Sequence, residues 1–131
     1  MALPRPGPPS GVPRVAFMGN SYLYFHDVPR LFQALCGGEE AVQIGDCLRG
    51  GASWKTLLSD GNGMAELFRS PNARRPDGSY DVGAESVLAL LEDPRGWDFV
   101  VTNTYSQEAA RPERRGDGLQ ALEVLAPMWE R

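Results

Sequence analysis

Basic charge, histidine and long hydrophobic runs are all scarce in this sequence, and each shortage excludes a class of protein. The 131 residues carry a net charge of -4 and have a pI near 5.0. That balance argues against nucleic-acid binding, because contact with phosphates needs clustered Lys and Arg. No run of apolar residues approaches the length that crosses a bilayer. We therefore expect neither a nucleic-acid partner nor a membrane partner.

Residues that bind metals are also few. The two cysteines, Cys36 and Cys47, are separated by ten residues, and the single histidine is His26. This set fits neither a CxxC motif nor a zinc pattern. We predict that both cysteines are buried free thiols, and we expect no metal or other cofactor.

The start of the chain is rich in proline and glycine and contains no apolar segment of the kind that a signal peptide needs. We predict a disordered leader over residues 1–12 and one domain over residues 13–131. Without a signal peptide or a membrane helix, a cytoplasmic or otherwise soluble location is expected by default.

What the sequence does contain is an alternation of strand and helix patterns. The run Val12–Met18 has no charge after Arg14 and stops at Gly19, which predicts a buried strand. Apolar residues then recur at helical spacing as far as Leu35, which predicts a helix with Pro29 in its first turn. Further strands are predicted at 40–48 and 97–103, helices at 54–58, 64–69, 82–91 and 119–128, and polar loops at 70–81 and 104–118. The alternation predicts an α/β fold with a parallel sheet, and the continuous apolar run at 97–103 predicts a strand covered on both faces.

Three loops follow the predicted strands at their carboxyl ends, where parallel sheets bind ligands. They contain the turn Gly19–Ser21, the pair Gly50–Gly51, and Asn103. We expect these loops to converge and to bring together a hydroxyl, glycine amides and a carboxamide. The alternatives are ordinary ones: the glycine pair could form a simple strand-to-helix turn, and the asparagine could cap its own turn.

These three motifs, with the segment Trp97-Asp98-Phe99-Val100-Val101 leading into the third, resemble the first three blocks of the SGNH, or GDSL-like, serine hydrolases. The resemblance covers about residues 13–108 and is closest to the branch with GNS in place of GDS. It implies a nucleophile at Ser21 and an oxyanion hole built from the N–H groups of Ser21 and Gly51 and the side chain of Asn103. The implied substrate is a small-molecule carboxylic ester, with an acetyl group on a carbohydrate as one option. The implied fold is a flavodoxin-like, three-layer α/β/α arrangement, whose first three strands lie in the order second, first, third.

One catalytic block of that family has no counterpart. The family completes its triad with Asp-x-x-His near the C-terminus, and this sequence has no such motif and no histidine after His26. His26 lies five residues after Ser21, an offset that does not share a helical face, so it is not expected to be the base. We therefore expect an N-terminal portion of a hydrolase, truncated after its third strand. That strand would then be an exposed edge, which makes self-association possible.

Two alternatives to the hydrolase stay open. One is a catalytically inactive remnant, or pseudoenzyme, that keeps the pocket and binds a small ligand or a partner. The other is a flavodoxin-like binder of a phosphate or cofactor that uses the loop after the first strand as an anion cradle, although the sequence has no GxGxxG or GK[ST] motif. Because the Asp-x-x-His block is missing, the sequence leaves the activity of the chain itself open.

Overall fold

The computed structural model describes residues 11–63, 77–78, 83–104 and 110–129. The elements within these ranges are β1 (Arg14–Gly19), α1 (Ser21–Tyr24), a 3-10 turn (Phe25–Asp27), α2 (Val28–Cys36), β2 (Gln43–Leu48), α3 (Trp54–Asp60), α4 (Val87–Leu91), β3 (Phe99–Thr102) and α5 (Pro112–Trp129). The predicted helix at 64–69, residues 1–10 of the predicted leader and most of the predicted loop at 70–81 lie outside the described residues.

The three strands form one parallel sheet with β1 in the centre, in the order β2-β1-β3. Val15 of β1 lies opposite Ile44 of β2 and Phe99 of β3. Every residue of β1 is buried, as a central strand between two layers of helices requires. The sheet confirms the predicted α/β class, its parallel strands and their order.

The side chains of β1 alternate between two apolar clusters. Ala16 and Met18 face a larger cluster, to which α3, α4 and α5 contribute Leu57, Leu90 and Leu125 respectively. Val15 and Phe17 face a smaller cluster that includes Leu23 and Phe32, and the rings of Phe17 and Phe32 meet edge to face at 5.6 Å. Helices therefore pack against both faces of the sheet.

The helical pattern after Ser21 is interrupted rather than continuous. His26 and Asp27 have φ angles of 61° and 51°, left-handed values that end a right-handed helix at this turn. The Asp27 carboxylate is buried 3.0 Å from a guanidinium nitrogen of Arg30, which also binds Asp46 of β2. This buried ion-pair group holds the turn against the sheet. After it, α2 begins with Pro29 in its first turn, as predicted.

The last helix begins earlier than its apolar spacing predicts. α5 starts at Pro112 and includes Gly116, so the prediction of a loop over 104–118 is wrong for the second half of that range. Proline is favoured at the first helical position, and packing of Leu125 into the core outweighs the low helix propensity of glycine. The helix also continues through Pro127.

β3 corrects a second prediction, because it is covered on one face only. Val100 packs against the larger cluster, whereas Phe99 is 63% exposed and Val101 is 40% exposed. The strand is also shorter than the predicted range of 97–103. The predicted coverage of both faces is therefore wrong, and within the described sheet β3 is an edge strand with one open apolar face.

The cysteines differ from one another. Cys47 is a buried free thiol as predicted, but Cys36 is exposed, so the prediction is wrong for Cys36. Burial raises the pKa of the Cys47 thiol to about 12. No helix within the described ranges is long and apolar enough to cross a membrane.

Candidate functional site

The loops that follow the three strands meet at Asn20, the residue directly after β1. Its side chain is buried and makes four hydrogen bonds. Nδ2 donates to the main-chain oxygens of Ala52, at 2.9 Å, and Thr104, at 3.1 Å. Oδ1 accepts from the N–H of Tyr22, at 3.2 Å, and from Nδ2 of Asn103, at 2.7 Å. Since two acceptors face the nitrogen and two donors face the oxygen, only one orientation of this amide satisfies all four groups.

Asn103 is held against the end of β1 by a reciprocal pair of bonds. It donates to Oδ1 of Asn20, and the N–H of Asn20 donates back to Oδ1 of Asn103 at 3.2 Å. Gly19 makes this approach possible, because a Cβ atom there would lie 1.9 Å from Oδ1 of Asn103. The second hydrogen of the Asn103 amide has no acceptor among the described residues. Within the described part of the chain, it is therefore available to donate to a ligand.

Ser21 follows Asn20 as the first residue of α1 and is partly exposed. Within the part of the chain that the structure describes, neither its N–H nor its hydroxyl donates a hydrogen bond. The N–H of Gly51 also has no acceptor among the described residues. Each of the three residues predicted from the motifs therefore has at least one N–H without a described acceptor.

The loop that carries Gly51 is fixed on both sides to the end of β1. Before it, the N–H of Arg49 donates to the oxygen of Gly19 at 3.0 Å. After it, the oxygen of Ala52 accepts from the Asn20 side chain. Gly51 itself is exposed and has a φ of 69°, a value that favours glycine. The loop is therefore held next to the serine while its glycine stays open to solvent.

Three further contacts hold these loops together. The indole N–H of Trp54 donates to Oγ1 of Thr102 at 2.8 Å, and the main-chain N–H of Trp54 donates to Oγ1 of Thr104 at 3.2 Å. A Cβ atom on Gly50 would lie 2.9 Å from the hydroxyl oxygen of Tyr24, so α1 also lies against the glycine loop. Trp54 therefore ties the start of α3 to the end of β3.

No general base contacts the serine in the described ranges. His26 is exposed and lies in the left-handed turn after α1, and its side chain makes no hydrogen bond with any described residue. Nor do these residues include a group of three His, Cys, Asp or Glu that could hold a metal ion. A groove of about 400 Å³ between α3, α4 and α5 is lined by Leu58, Leu88 and Val124 among others, and it lies away from Ser21.

The sequence motifs missed Asn20 as the residue that organises the site. The motif predicts Asn20 only as part of the turn that carries Ser21. The signal that could have identified it is its position immediately before a helix, where asparagine is a favoured cap. Its bonds to Ala52 and Thr104 have no signal in the sequence, because they join positions far apart in the chain.

No protein-family model, curated protein or solved structure matches this chain. The likeness to the SGNH hydrolases therefore depends on the three motifs alone.

Proposed function

We propose that this chain carries the nucleophile and the oxyanion hole of an SGNH-type serine hydrolase that acts on a small-molecule carboxylic ester, such as an acetylated carbohydrate. One observation supports this most. The N–H groups of Ser21 and Gly51 and the second amide hydrogen of Asn103 come from three different loops, and none has an acceptor among the described residues. The neighbouring amide of Asn20, in contrast, uses all of its hydrogen-bonding capacity.

In ester hydrolysis, the Ser21 hydroxyl and the three N–H donors have separate roles. Oγ of Ser21 attacks the ester carbonyl carbon while a base accepts the hydroxyl proton, and the carbonyl oxygen becomes an oxyanion. The three N–H donors stabilise that oxygen, and loss of one such donor typically lowers the rate by roughly 10²- to 10³-fold. Collapse of the intermediate expels the alcohol, which takes a proton, and water then releases the acid from Ser21.

The Asp-x-x-His motif, which supplies the base in the SGNH hydrolases, has no counterpart in this sequence. In serine proteases, the oxyanion hole and substrate positioning alone retain roughly 10³-fold acceleration over water when the triad is removed. We expect the 131-residue chain to show activity of that kind, and an added soluble base to raise it.

A second candidate is the inactive remnant that binds a small ligand in the same pocket. The observation that favours it is the absence of any base hydrogen-bonded to the Ser21 hydroxyl within the described residues. Both candidates use the same donors, so an experiment must separate binding from turnover.

A fluorophosphonate probe, which bonds covalently to nucleophilic serines, tests the first step. We expect slow labelling at Ser21, located by peptide mass spectrometry, and faster labelling when imidazole is added as a soluble base. Ser21→Ala should abolish the labelling. Ser59→Ala is the matched control, because that serine is exposed on α3 and its hydroxyl donates to Asp60 at 3.0 Å. Equal labelling of the natural chain and Ser21→Ala would contradict the assigned nucleophile.

Turnover of p-nitrophenyl acetate separates the two candidates. Hydrolysis that depends on both imidazole and Ser21, after subtraction of the Ser21→Ala rate, supports the hydrolase. In that case Asn103→Ala should lower the rate by roughly 10²-fold, as loss of one donor does. Labelling at Ser21 without any such turnover supports the inactive remnant instead.

A further inference from the structure

The amide of Asn103 has one bonded edge and one hydrogen without an acceptor among the described residues. Its Oδ1 accepts from the N–H of Asn20 at 3.2 Å, and its Nδ2 donates to Oδ1 of Asn20 at 2.7 Å. Both bonds go to the same residue, so they use the oxygen and the hydrogen that lie on one edge of the planar amide. The second hydrogen lies on the other side of the nitrogen and points away from Asn20. Asn20 therefore determines the direction of this donor.

The Asn20 amide is in turn oriented by two main-chain oxygens. Its Nδ2 donates to the oxygen of Ala52 at 2.9 Å and to the oxygen of Thr104 at 3.1 Å. A carbonyl oxygen can only accept, so the nitrogen must face these two groups and the oxygen must face Asn103. The N–H of Tyr22 donates to the same side-chain oxygen at 3.2 Å and favours the same orientation. Two carbonyl groups on the loops after β2 and β3 thus fix the Asn103 donor through one intervening amide.

Burial makes this arrangement sensitive to charge at position 20. Asn20 is 3% exposed, so water neither replaces a lost partner nor screens an added charge there. Aspartate has the shape of asparagine but, when it is ionised, it only accepts hydrogen bonds. A carboxylate at position 20 would place an anionic oxygen against the oxygens of Ala52 and Thr104. Both bonds that Asn20 donates would be lost, and the two opposed oxygens would repel the new one.

A carboxylate at this position would also oppose the charge that forms in the reaction. The Asn20 oxygen lies 2.7 Å from Nδ2 of Asn103. A ligand oxygen bound through the other hydrogen of that nitrogen would lie about 2.9 Å from it on the far side. Two negative charges placed in this way are about 5 Å apart, and in a partly buried site their repulsion would slow the formation of an oxyanion by roughly 10²-fold.

We propose that Asn20 is a positioning residue for the reaction at Ser21 and that its side chain must be a neutral amide. Asn20 directs the second hydrogen of Asn103 to the oxyanion and keeps negative charge away from it. This inference rests on the proposed function, because it concerns the same oxyanion hole. It adds a residue that acts through Asn103 and specifies the charge that this residue must have.

A purely structural role for Asn20 leads to a different expectation. If Asn20 only stabilised the fold, loss of its bonds would lower the amount of folded protein and leave the reactivity of the folded molecules unchanged. A positioning role that needs a neutral side chain instead makes the reactivity follow the charge at position 20. The two roles are therefore separated by measurements on folded molecules at pH values where that charge differs.

Asn20→Asp makes the charge adjustable. Burial and the two facing oxygens should raise the pKa of this carboxyl above its usual value of about 4. Below the raised pKa the folded acid is neutral, accepts hydrogen bonds as asparagine does, and donates its one hydrogen to Ala52 or Thr104. With respect to this group, the variant is most stable below the unfolded pKa of about 4 and loses stability as the pH rises to the raised folded value.

Fluorophosphonate labelling of Ser21 in the folded fraction, measured from about pH 5 to about pH 8, is the test. Circular dichroism gives the folded fraction at each pH. Dividing the rate for Asn20→Asp by the rate for the natural chain cancels the effect of pH on the added imidazole. We expect this ratio to be close to one at the acidic end and to fall by roughly 10²-fold at the alkaline end.

Gln33→Glu is the matched control. The Gln33 amide also donates to a main-chain oxygen, that of Val42, at 2.9 Å. It lies on α2, and Val42 directly precedes β2, so this bond is at the end of the sheet away from Ser21. The labelling ratio of this variant should stay near one at every pH. An Asn20→Asp ratio that does not change with pH, an equal fall in Gln33→Glu, or an Asn20→Asp chain that is unfolded even in mild acid would each overturn the proposal.

A second measurement separates this proposal from the proposed function. In two-dimensional amide NMR spectra of Asn20→Asp, the side-chain signals of Asn103 should shift as the pH passes the raised pKa, and they should stay fixed in Gln33→Glu. If Ser21 of the natural chain is never labelled but these signals shift, the assigned nucleophile is wrong and Asn20 orients the Asn103 donor for the ligand of an inactive remnant. If the signals do not shift, Asn20 does not position Asn103, whatever the labelling shows.

Discussion

β1 has a buried polar side chain at each end, and the two ends of this strand serve different purposes. At the amino end, Arg14 donates to Gln43 at 3.1 Å and to Asp93 at 3.2 Å, bonds to the oxygen of Gly96, and stacks over the ring of Trp97. At the carboxyl end, Asn20 joins the loops after β2 and β3. Both residues thus connect the central strand to the segments that precede or follow β2 and β3.

The difference lies in the groups around them. A guanidinium only donates, and here each of its three nitrogens donates to one acceptor, in Gln43, Gly96 and Asp93. An amide both donates and accepts, so Asn20 satisfies its neighbours' buried groups while the N–H groups of Ser21 and Gly51 stay without a described acceptor. The amino end therefore contributes stability, and the carboxyl end combines stability with open donors.

The largest effect is expected at the carboxyl end. Asn20→Ala removes four buried hydrogen bonds and leaves their partners, including the oxygens of Ala52 and Thr104, without the side chain that satisfied them. We expect a loss of about 3 kcal/mol or more in the free energy of unfolding, because each unsatisfied buried group costs about 1–3 kcal/mol. Urea denaturation measures that loss. Labelling of Ser21 by the fluorophosphonate should also fall in the folded fraction; unchanged labelling would mean that Asn20 does not position the donors.

Arg14→Ala should separate stability from reactivity. Arg14 is buried, and its removal takes a cation from Asp93 and from the ring of Trp97. We expect the free energy of unfolding to fall by about 2 kcal/mol, less than the cost of breaking a fully buried pair, because Asp93 keeps Arg95. The labelling rate of folded protein should not change. A fall in that rate as large as the one in Asn20→Ala would show that the two ends are not independent.

The smallest effect is expected at the amino end of β1, where the free energy of unfolding depends on pH through Asp93. Hydrogen bonds from Arg95, and then from Arg14, hold the pKa of the Asp93 carboxyl well below its usual range. The folded state therefore binds fewer protons than the unfolded state in acid. The stabilisation is complete above the unfolded pKa of about 4 and is lost as the pH falls toward the lowered folded value.

Asp93→Asn removes this dependence. Below about pH 4, the thermal midpoint of the natural chain should fall more steeply with decreasing pH than that of Asp93→Asn. Asp60→Asn is a suitable control, because Asp60 is exposed and its carboxylate accepts from the Ser59 hydroxyl at 3.0 Å. Parallel pH profiles for the natural chain and Asp93→Asn would contradict the role of this carboxylate.

Features of the fold that depend on short stretches were predictable. The strand at β1 follows from an uncharged apolar run ended by Gly19, and the start of α2 follows from Pro29. Three strand-to-helix repeats imply that the loops after the strands share one end of the sheet, and the bonds of Asn20 show those loops in contact. The roles of Ser21, Gly51 and Asn103 in catalysis stay predictions.

Features that depend on contacts between distant residues were not predictable. The break between α1 and α2 depends on the burial of Asp27 beside Arg30 and Asp46. The early start of α5 depends on packing into the core, and the exposure of Cys36 follows from its position at the end of α2. Local propensity carries no information about these contacts, so periodicity assigned the wrong bounds or the wrong burial.

Local sequence signals were enough for the class of the fold, the order of its elements and the residue types at the strand ends, because apolar spacing, glycine turns and proline positions act over a few residues. The bonds by which Asn20 joins the three loops, and the exposure of Phe99 and Val101 of β3, are visible in the folded structure alone. The physical reason is that a buried hydrogen bond or an uncovered face depends on which elements pack next to one another. That arrangement is a property of the whole chain and not of any short segment.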